Sequence, residues 1–343
     1  MSNKQYFKEA KYGMMIHFGL YSILAGEYKG QRMGTTIGEW IQSYFRIPNK
    51  EYEKLANVFN PIYFNADEWV DIALKAGMKY MVVTTKHHEG FALFHSKVDK
   101  FNVVDAAPFK RDIIKELAEA CHKKGLKFGI YYSQALDWHE ENAGGWDASF
   151  LNVEGMHWGN DWDYPDNSKK DFSEVFNRKI KPQVIELLTN YGDIFSIWFD
   201  TPWTITKEQS LELYNLVKKY QPDCLVNSRI GQVEGIKFDY TSFGDNEIPD
   251  EYKDGELLFE SACTLNDTWG YKSYDQNWKS PEEILANKKH LNERNVNYLL
   301  NVGPDYLGRI PSKCIEILLK VKELEDTSVL TSSPCRSSSS GTS

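Results

Sequence analysis

Apolar and polar side chains alternate along residues 193–200 with the two-residue period of a β-strand. One face of this segment is apolar and consists of Phe195, Ile197 and Phe199. The other face is polar and consists of Ser196, Trp198 and Asp200. A strand that is apolar outward and ends in a carboxylate beside a tryptophan is typical of the mouth of a barrel. Asp200 is therefore the first candidate for chemistry.

Strand patterns recur along the chain and alternate with helical segments. The predicted strands are 12–18, 78–87, 127–133, 193–200, 223–229, 237–243, 257–264 and 296–303. The predicted helices are 67–77, 111–125, 171–191, 206–220, 281–294 and 311–324. Eight strands with intervening helices predict an α/β fold, a single-domain (β/α)8 TIM-like barrel. A doubly wound open sheet is the main alternative, but no G-x-G-x-x-G sequence follows a predicted strand.

The strand alternation also predicts which side chains face the barrel interior. In a barrel the outward face packs on the helices, and inward residues at the C-terminal strand ends point into the active site. The polar residues that fall on the inward face are His17, Tyr131, Asp200, Asn227, Arg229, Glu260, Asn297 and Asn301. His87 and His88 end their strand, and at the rim both side chains can turn toward the mouth. These groups converge on one end of the barrel.

Composition and charge narrow the class of partner. The 343 residues are 41% hydrophobic and 26% charged, with a net charge of -9. This acidic balance, without a long basic run, argues against nucleic acid or an anionic membrane as a partner. Aromatic residues make up 14% of the chain, and their rings stack well on sugars or bases. We expect a small, neutral partner.

The remaining sequence features concern the location of the protein, its cysteines and its domain limits. The N-terminus has no apolar signal segment, and no apolar stretch is long enough to span a membrane. These two features predict a soluble, cytoplasmic protein. The alternative that a leader was removed from the natural protein stays open. Five scattered cysteines without C-x-x-C spacing argue against a disulfide framework or structural zinc. We expect one domain, residues 1–326, followed by a Ser-rich tail, residues 327–343, that is disordered or vector-derived.

The two candidate carboxylates each have a structural alternative. Asp200 follows a strand and is a suitable helix N-cap. The spacing of Thr206 and Gln209 predicts a capping box, however, so the next helix starts too far along for Asp200 to cap it. Glu260 is a candidate general acid, because Phe259 and Trp269 would desolvate it and favour its protonated form. The alternative for Glu260 is a buried partner of an arginine.

The histidines and the arginine also have alternatives. His17, His87 and His88 are candidates for hydrogen bonds to a substrate or for metal binding, and adjacent histidines are poorly spaced for one metal ion. His17 also fits a buried core position, and Arg229 fits a plain ion pair. In the segment 144–163, Trp158 and Trp162 are predicted to pack that loop.

Several motifs in this order resemble the α-L-fucosidases of glycoside hydrolase family 29. The similarity runs from about Tyr6 to Leu324. Its motifs are His17-Phe18-Gly19, Gly38-Glu39-Trp40, Lys86-His87-His88-Glu89-Gly90-Phe91, Phe128-Gly129-Ile130-Tyr131-Tyr132-Ser133, Trp198-Phe199-Asp200, Phe259-Glu260, Thr268-Trp269-Gly270-Tyr271 and Leu299-Leu300-Asn301-Val302-Gly303-Pro304. The resemblance implies a barrel hydrolase that releases L-fucose with retention, without a metal or cofactor.

The resemblance also implies roles for particular residues. Asp200 matches the nucleophile and Glu260 matches the acid/base, with Glu247 as the competing carboxylate. The positions that match the fucose pocket are His17, Glu39, Trp40, His87, His88, Tyr131, Trp198, Arg229 and Trp269. The Trp-Gly-Tyr pattern implies α-1,3- or α-1,4-linked fucosides. The family usually carries a C-terminal β-sandwich, and this sequence stops soon after the last predicted helix, so we expect either a minimal form or a shortened sequence.

The function expected from the sequence is that of a retaining exo-α-L-fucosidase acting on fucosylated oligosaccharides or glycoconjugates. One carboxylate attacks the anomeric carbon and the other protonates the departing oxygen, at a separation of about 5–5.5 Å. Two alternatives stay open. One is a lectin-like barrel that binds fucose without turnover, and the other is a metal-dependent barrel hydrolase that uses His17, His87 and His88.

Overall fold

The structure, a computed structural model, describes residues 1–34, 37–152, 155–251 and 257–332. Eight parallel strands form one sheet and are numbered here in chain order. They are β1 (Tyr12–Ile16), β2 (Tyr80–Lys86), β3 (Lys127–Ser133), β4 (Ser196–Asp200), β5 (Leu225–Val226), β6 (Tyr240–Ser242), β7 (Leu258–Thr264) and β8 (Val296–Val302). Outside this sheet, Glu27–Tyr28 and Gln31–Arg32 form a short antiparallel hairpin.

The sheet curls into a barrel. Its strands follow the order β5-β4-β3-β2-β1-β8-β7-β6. A parallel bridge between Asn227 and Tyr240 joins the two edges. Because β1 pairs with both β2 and β8, the first and last strands lie side by side, as closure requires. The predicted (β/α)8 barrel is confirmed.

Helices connect the strands and surround the sheet. The longer ones are Asn3–Ala10, Ala66–Lys75, Ile113–Lys124, Lys181–Asn190, Lys207–Tyr220, Pro281–Glu293 and Ser312–Ser332. The shorter ones are Tyr21–Leu24, Ile41–Tyr44, Asn49–Tyr52 and Phe172–Val175, and a π-helical turn spans Phe176–Ile180. The 3-10 turns are Gly38–Trp40, Glu53–Val58, Trp146–Leu151, Asn167–Lys169 and Ser228–Ile230.

Capping residues set several helix starts. The side chains of Asn65, Asp112, Thr206 and Ser280 each accept a hydrogen bond from the backbone N–H three residues later. Such bonds satisfy donors that the first turn of a helix leaves free. Thr206 and Gln209 form the predicted capping box, so Asp200 is not the cap of that helix.

The barrel interior has its own apolar core near the N-terminal strand ends. Phe7, from the helix Asn3–Ala10, packs between Tyr80, Phe195 and Tyr240 and fills this opening. The predicted outward position of Phe195 is wrong. It precedes the first residue of β4, where the backbone turns its ring inward against Phe7. Ile197 and Phe199 face the outer core as predicted.

Two predicted strands are shorter than expected. The segment 223–229 keeps only Leu225–Val226 as strand, and Arg229 lies in a 3-10 turn. The side-chain amide of Asn227 bonds the backbone N–H and C=O of Phe199, and the Asp239 carboxylate accepts from the N–H of Val226. Side chains thus replace ladder hydrogen bonds, which ends the strand early. The segment 237–243 keeps only Tyr240–Ser242.

The last helix runs past its predicted end at Leu324 to Ser332. It therefore takes in residues 327–332, which the sequence analysis assigns to the tail. Residues 333–343, including Cys335, lie outside the described residues, and the other four cysteines are buried thiols. Among the described helices, none has both the length and the apolarity to cross a membrane.

Candidate active site

A cavity of about 300 Å³ opens at the C-terminal ends of the strands. Every predicted substrate-binding residue lines it, together with the predicted nucleophile Asp200. This set is His17, Glu39, Trp40, His87, His88, Tyr131, Trp198, Asp200, Arg229 and Trp269. Residues far apart in the chain meet here because the C-terminal ends of parallel barrel strands share one rim.

Asp200 is the last residue of β4, and its side chain is fixed by two donors. The Tyr131 hydroxyl donates to one carboxylate oxygen at 2.7 Å, and Arg229 Nη1 donates to the other at 3.2 Å. The carboxylate is 16% exposed, so it is open to the cavity. Thr201 follows with φ of 53°, a left-handed conformation that strains a β-branched residue and is concentrated at functional sites.

Arg229 joins Asp200 to a second carboxylate, Asp245. Its Nη2 donates to Asp245 at 2.5 Å and to the Phe243 carbonyl at 2.9 Å. Its guanidinium lies 4.6 Å from the centre of the Trp198 ring. Burial opposes the charge, but Asp245 and Asp200 raise the pKa of Arg229 above its ordinary value. One permanent cation thus holds two carboxylates at the same cavity.

His17 presents one fixed ring nitrogen to the cavity. Asn301 donates its amide N–H to the Trp269 carbonyl at 2.7 Å, which leaves the Asn301 oxygen to accept from His17 Nδ1 at 2.8 Å. Burial lowers the pKa of His17 to about 4. The imidazole is therefore neutral at pH 7, and its Nε2 is an acceptor.

The rings of His87 and His88 are in contact, with centres 3.8 Å apart and planes inclined by 40°. The Ser133 hydroxyl donates to the Leu136 carbonyl and so accepts from His88 Nδ1, at 2.7 Å each. His88 Nε2 is an acceptor 3.9 Å from Asp200. His87 Nδ1 has no hydrogen-bond partner among the described residues. Burial holds the pKa of both well below the ordinary value, so both are neutral.

Glu39 and Trp40 reach the cavity from the turn Gly38–Trp40. Glu39 accepts from the backbone N–H of Gly270 at 2.7 Å, and Gly38 donates to the Thr268 hydroxyl at 2.7 Å. Burial raises the pKa of Glu39 to about 7. These bonds tie the loop after β1 to the Trp269 loop, so two walls of the cavity are held together.

Glu260 does not lie where the sequence analysis places it. It is the third residue of β7, in register with Asn297 near the N-terminal end of β8, and it is fully buried. The Tyr80 hydroxyl and Trp198 Nε1 donate to its two oxygens at 2.6 and 3.0 Å. Glu260 is therefore under Trp198 and does not line the cavity. An acid/base must reach the departing oxygen, so this position argues against the predicted role.

Glu247, the competing carboxylate, is also off the cavity and accepts from the backbone N–H of Gly244. Asp245, two residues earlier, lines the cavity together with Asp200 and Glu39. The sequence does not predict Asp245 at the cavity, because the turn after β6 has no strand alternation that assigns side chains to a face. The one available signal was three consecutive polar residues, Asp245-Asn246-Glu247, directly after a strand.

The histidine cluster gives no support to a metal centre. Among the described ranges, no group of three His, Cys, Asp or Glu side chains is arranged to hold a metal ion. The proton of His17 and that of His88 are each used in a bond to a protein oxygen. The two Nε2 acceptors then match donors such as sugar hydroxyls.

Comparison with known proteins assigns the family. A sequence profile of the family described as alpha-L-fucosidase matches residues 1–324. The chain belongs to the α-L-fucosidase family. This confirms the resemblance seen in the sequence, and it places the chain among the glycoside hydrolases.

Solved structures of α-L-fucosidases share this fold. AlfC from Lactobacillus casei, in complex with α-L-fucose, is 53% identical with a TM-score of 0.90, over 96% of this chain and 99% of that chain. A variant of AlfC was solved with 4-nitrophenyl-α-L-fucopyranoside, at 54% identity, a TM-score of 0.92 and the same coverage. The α-L-fucosidase of Vibrio sp. strain EJY3 is 37% identical with a TM-score of 0.88, over 96% of this chain and 56% of that chain.

Curated α-L-fucosidases of animals match at lower identity. The Putative alpha-L-fucosidase of Caenorhabditis elegans is 28% identical over 90% of this chain, and this chain spans 62% of that protein's length. The tissue α-L-fucosidase of Mus musculus is 29% identical over 92% of this chain and 68% of its own length.

Proposed function

We propose that this α-L-fucosidase hydrolyses terminal α-L-fucosyl residues with retention, using Asp200 as nucleophile and Asp245 as acid/base. The observation that carries the proposal is the shared guanidinium of Arg229, which holds both carboxylates at one cavity. Two carboxylates on one guanidinium are close enough for the short separation of a retaining enzyme, about 5–5.5 Å.

The chemistry has two steps. In the first, an Asp200 oxygen bonds the anomeric carbon, the bond to the aglycon oxygen breaks, and Asp245 gives that oxygen its proton. In the second, Asp245 takes a proton from water, the water oxygen bonds the anomeric carbon, and Asp200 leaves as a carboxylate. Tyr131 and Arg229 donate to Asp200 throughout and so fix the direction of its attack.

The cavity wall matches the two faces of a 6-deoxy sugar. Neutral His17 and His88 offer acceptors to ring hydroxyls, and Glu39 offers a buried carboxyl group. A site that pairs each hydroxyl discriminates against sugars that lack one. Trp198 and Trp269 supply apolar surface for the sugar's carbon edge and its methyl group.

The aglycon proposed is the sugar of an α-1,6-linked fucoside. A variant of the relative AlfC, at 53% identity to this chain, was solved in complex with Fucα(1,6)GlcNAc. This supports α-1,6 over the α-1,3 or α-1,4 linkages expected from the sequence. A panel of the three linkages tests the proposal, with the highest kcat/KM expected for Fucα(1,6)GlcNAc. Faster cleavage of an α-1,3 or α-1,4 fucoside restores the earlier expectation.

Azide rescue distinguishes the two carboxylates by stereochemistry. Asp200→Gly is expected to lose about 10³ or more of kcat, and azide then attacks 4-nitrophenyl α-L-fucoside directly to give β-L-fucosyl azide. In Asp245→Gly the fucosyl-enzyme still forms, and azide opens it by a second inversion to give α-L-fucosyl azide. NMR identifies which anomer of the fucosyl azide each variant forms.

Glu260→Gly is the matched variant for the acid/base. We expect no α-L-fucosyl azide from it, because Glu260 lies under Trp198. If α-L-fucosyl azide comes from Glu260→Gly and not from Asp245→Gly, Glu260 is the acid/base. If wild-type protein leaves aryl α-L-fucosides intact, hydrolysis itself is excluded and a fucose-binding barrel is favoured.

A further inference from the structure

Three aromatic side chains form a ledge at the rim of the cavity. They are Phe150, Trp158 and Trp203, called here the aromatic ledge. The Trp203 ring lies edge-on to both of the others, with ring centres 5.4 Å from Phe150 and 5.9 Å from Trp158. Phe150 is 71% exposed. Large apolar side chains exposed beside a binding cavity mark a contact surface for a ligand.

The ledge is continuous with the cavity. Trp158 lines the cavity and packs edge-on against Trp40, at 5.2 Å between ring centres. Leu151, next to Phe150, lines the same cavity, and Thr201 links Asp200 to the Trp203 turn. The ledge therefore begins where the fucose site ends, on the outer side of the mouth. A leaving group attached to fucose extends through that mouth.

Two loops are tied together to present the ledge. Thr204 donates from its backbone N–H and its hydroxyl to the two oxygens of Asp147, at 2.9 and 2.5 Å. The Gly145 N–H donates to the Thr204 hydroxyl oxygen at 2.9 Å. Thr204 has φ of 72° and Gly145 has φ of 96°, so the left-handed backbone is required on both loops.

A packing role explains only part of this arrangement. Trp158 and Trp162 both pack against the buried cluster of Trp40, Leu136 and Trp138, so these two side chains have a packing role. Phe150 contributes little to such a core, because most of its surface is in water. Its ring face is therefore available to a ligand, and stacking on a flat apolar surface is how aromatic rings contact a pyranose.

We propose that the aromatic ledge binds the aglycon, as a platform for a neutral hexopyranose such as N-acetylglucosamine. This rests on the proposed function and deepens it. Asp245, on the same mouth and 51% exposed, is the proposed acid whose proton goes to the departing oxygen of this sugar. The ledge contributes to the transition state only when the leaving group is a sugar, so it sets aglycon preference and leaves fucose recognition unchanged.

The test compares two donors that differ only in the leaving group. For Phe150→Leu, which keeps an apolar side chain but removes the ring, kcat/KM for Fucα(1,6)GlcNAc is expected to fall about tenfold. For α-L-fucosyl fluoride, which has no aglycon to stack, kcat/KM is expected to stay within about twofold. Trp203→Ala is expected to behave in the same way, and Phe150→Tyr, which keeps a ring, to restore disaccharide turnover.

Tyr220→Ala is the control, since Tyr220 is an exposed aromatic residue at the other end of the barrel beside Asp223. Tyr220→Ala is expected to leave kcat/KM unchanged for both substrates. The proposal is overturned if Phe150→Leu lowers kcat/KM equally for both substrates, or if it leaves kcat/KM for the disaccharide unchanged. Wild-type protein that turns over neither donor contradicts the proposed function instead. Turnover of the fluoride by each variant shows that it is folded.

Discussion

At the scale of single residues, the Trp198 ring is in contact with three other side chains. Arg229 lies over its ring at 4.6 Å, and Glu260 accepts from its indole nitrogen below. Tyr131 stacks beside it with ring planes 17° apart. A ring held on three sides keeps one orientation, which is what a wall of a sugar site needs. Glu260 therefore helps to fix the orientation of the Trp198 ring.

The burial of Glu260 predicts a pH dependence of stability. Burial raises its pKa from 4.5 to about 7. Between these values the folded state holds a proton that the unfolded state has released, so the free energy of unfolding falls as pH rises. The stabilisation is full below about pH 4.5 and lost through about pH 7. Its size is on the order of 3 kcal/mol.

Urea unfolding at pH 5 and pH 7.5 measures this effect as a difference between wild type and Glu260→Gln. The variant is expected to lose less stability over this range, because the amide does not titrate. Glu39 and Glu89 have pKa values raised by burial in the same way and remain in both proteins, so they cancel. Equal losses in the two proteins contradict a titration of Glu260 in this range.

At the scale of elements, the ends of β1 to β4 deliver side chains to the cavity, and capped helix starts fix loops near it. The helix Lys207–Tyr220 follows the ledge turn, and its capping box anchors that turn to the scaffold. Thr206→Ala removes one partner of the box and is expected to lower the free energy of unfolding by about 1 kcal/mol. Chemical denaturation measures the change.

Thr206→Ser keeps the hydroxyl and is the matched control, with stability expected near that of wild type. Activity on α-L-fucosyl fluoride is expected to stay unchanged in both variants, because Asp200 is held by Tyr131 and Arg229 and not by this helix. A loss of stability in Thr206→Ser as large as in Thr206→Ala would mean that the hydroxyl is not the source of the effect.

At the scale of the whole molecule, the barrel has one end for stability and one for chemistry. Phe7 closes the N-terminal opening and contacts residues of three separate strand regions, Tyr80, Phe195 and Tyr240. Phe7→Ala is expected to destabilise the protein by about 3–5 kcal/mol, since it leaves a cavity that many strands border. Thermal and urea unfolding measure this loss.

The same variant is expected to keep its KM for an aryl α-L-fucoside at temperatures where it stays folded, because the candidate active-site cavity is at the opposite ends of the strands. Phe7→Leu keeps most of the volume and is expected to lose less stability. A raised KM in Phe7→Ala would show that the two ends of the barrel are coupled.

The sequence predicted most of the fold and most of the residues that line the cavity, because the pattern of side chains along a strand depends on local sequence. Two-residue alternation assigned Ile197 and Phe199 to one face and Trp198 and Asp200 to the other, and β4 obeys it. Alternation failed at Phe195, which precedes the regular strand, whereas Arg229 reaches the cavity as predicted but from a 3-10 turn. Periodicity carries no information where the backbone leaves the pleat.

By itself, the sequence determined the alternation of strands and helices, the capping box at Thr206 and the identity of the nucleophile candidate Asp200, because each depends on neighbours in the chain. Only the tertiary structure decided which carboxylate accompanies Asp200. How far along the barrel axis a strand residue lies, and which path a loop follows, depend on contacts between distant segments. Those contacts place Glu260 beneath Trp198 and bring Asp245 to Arg229.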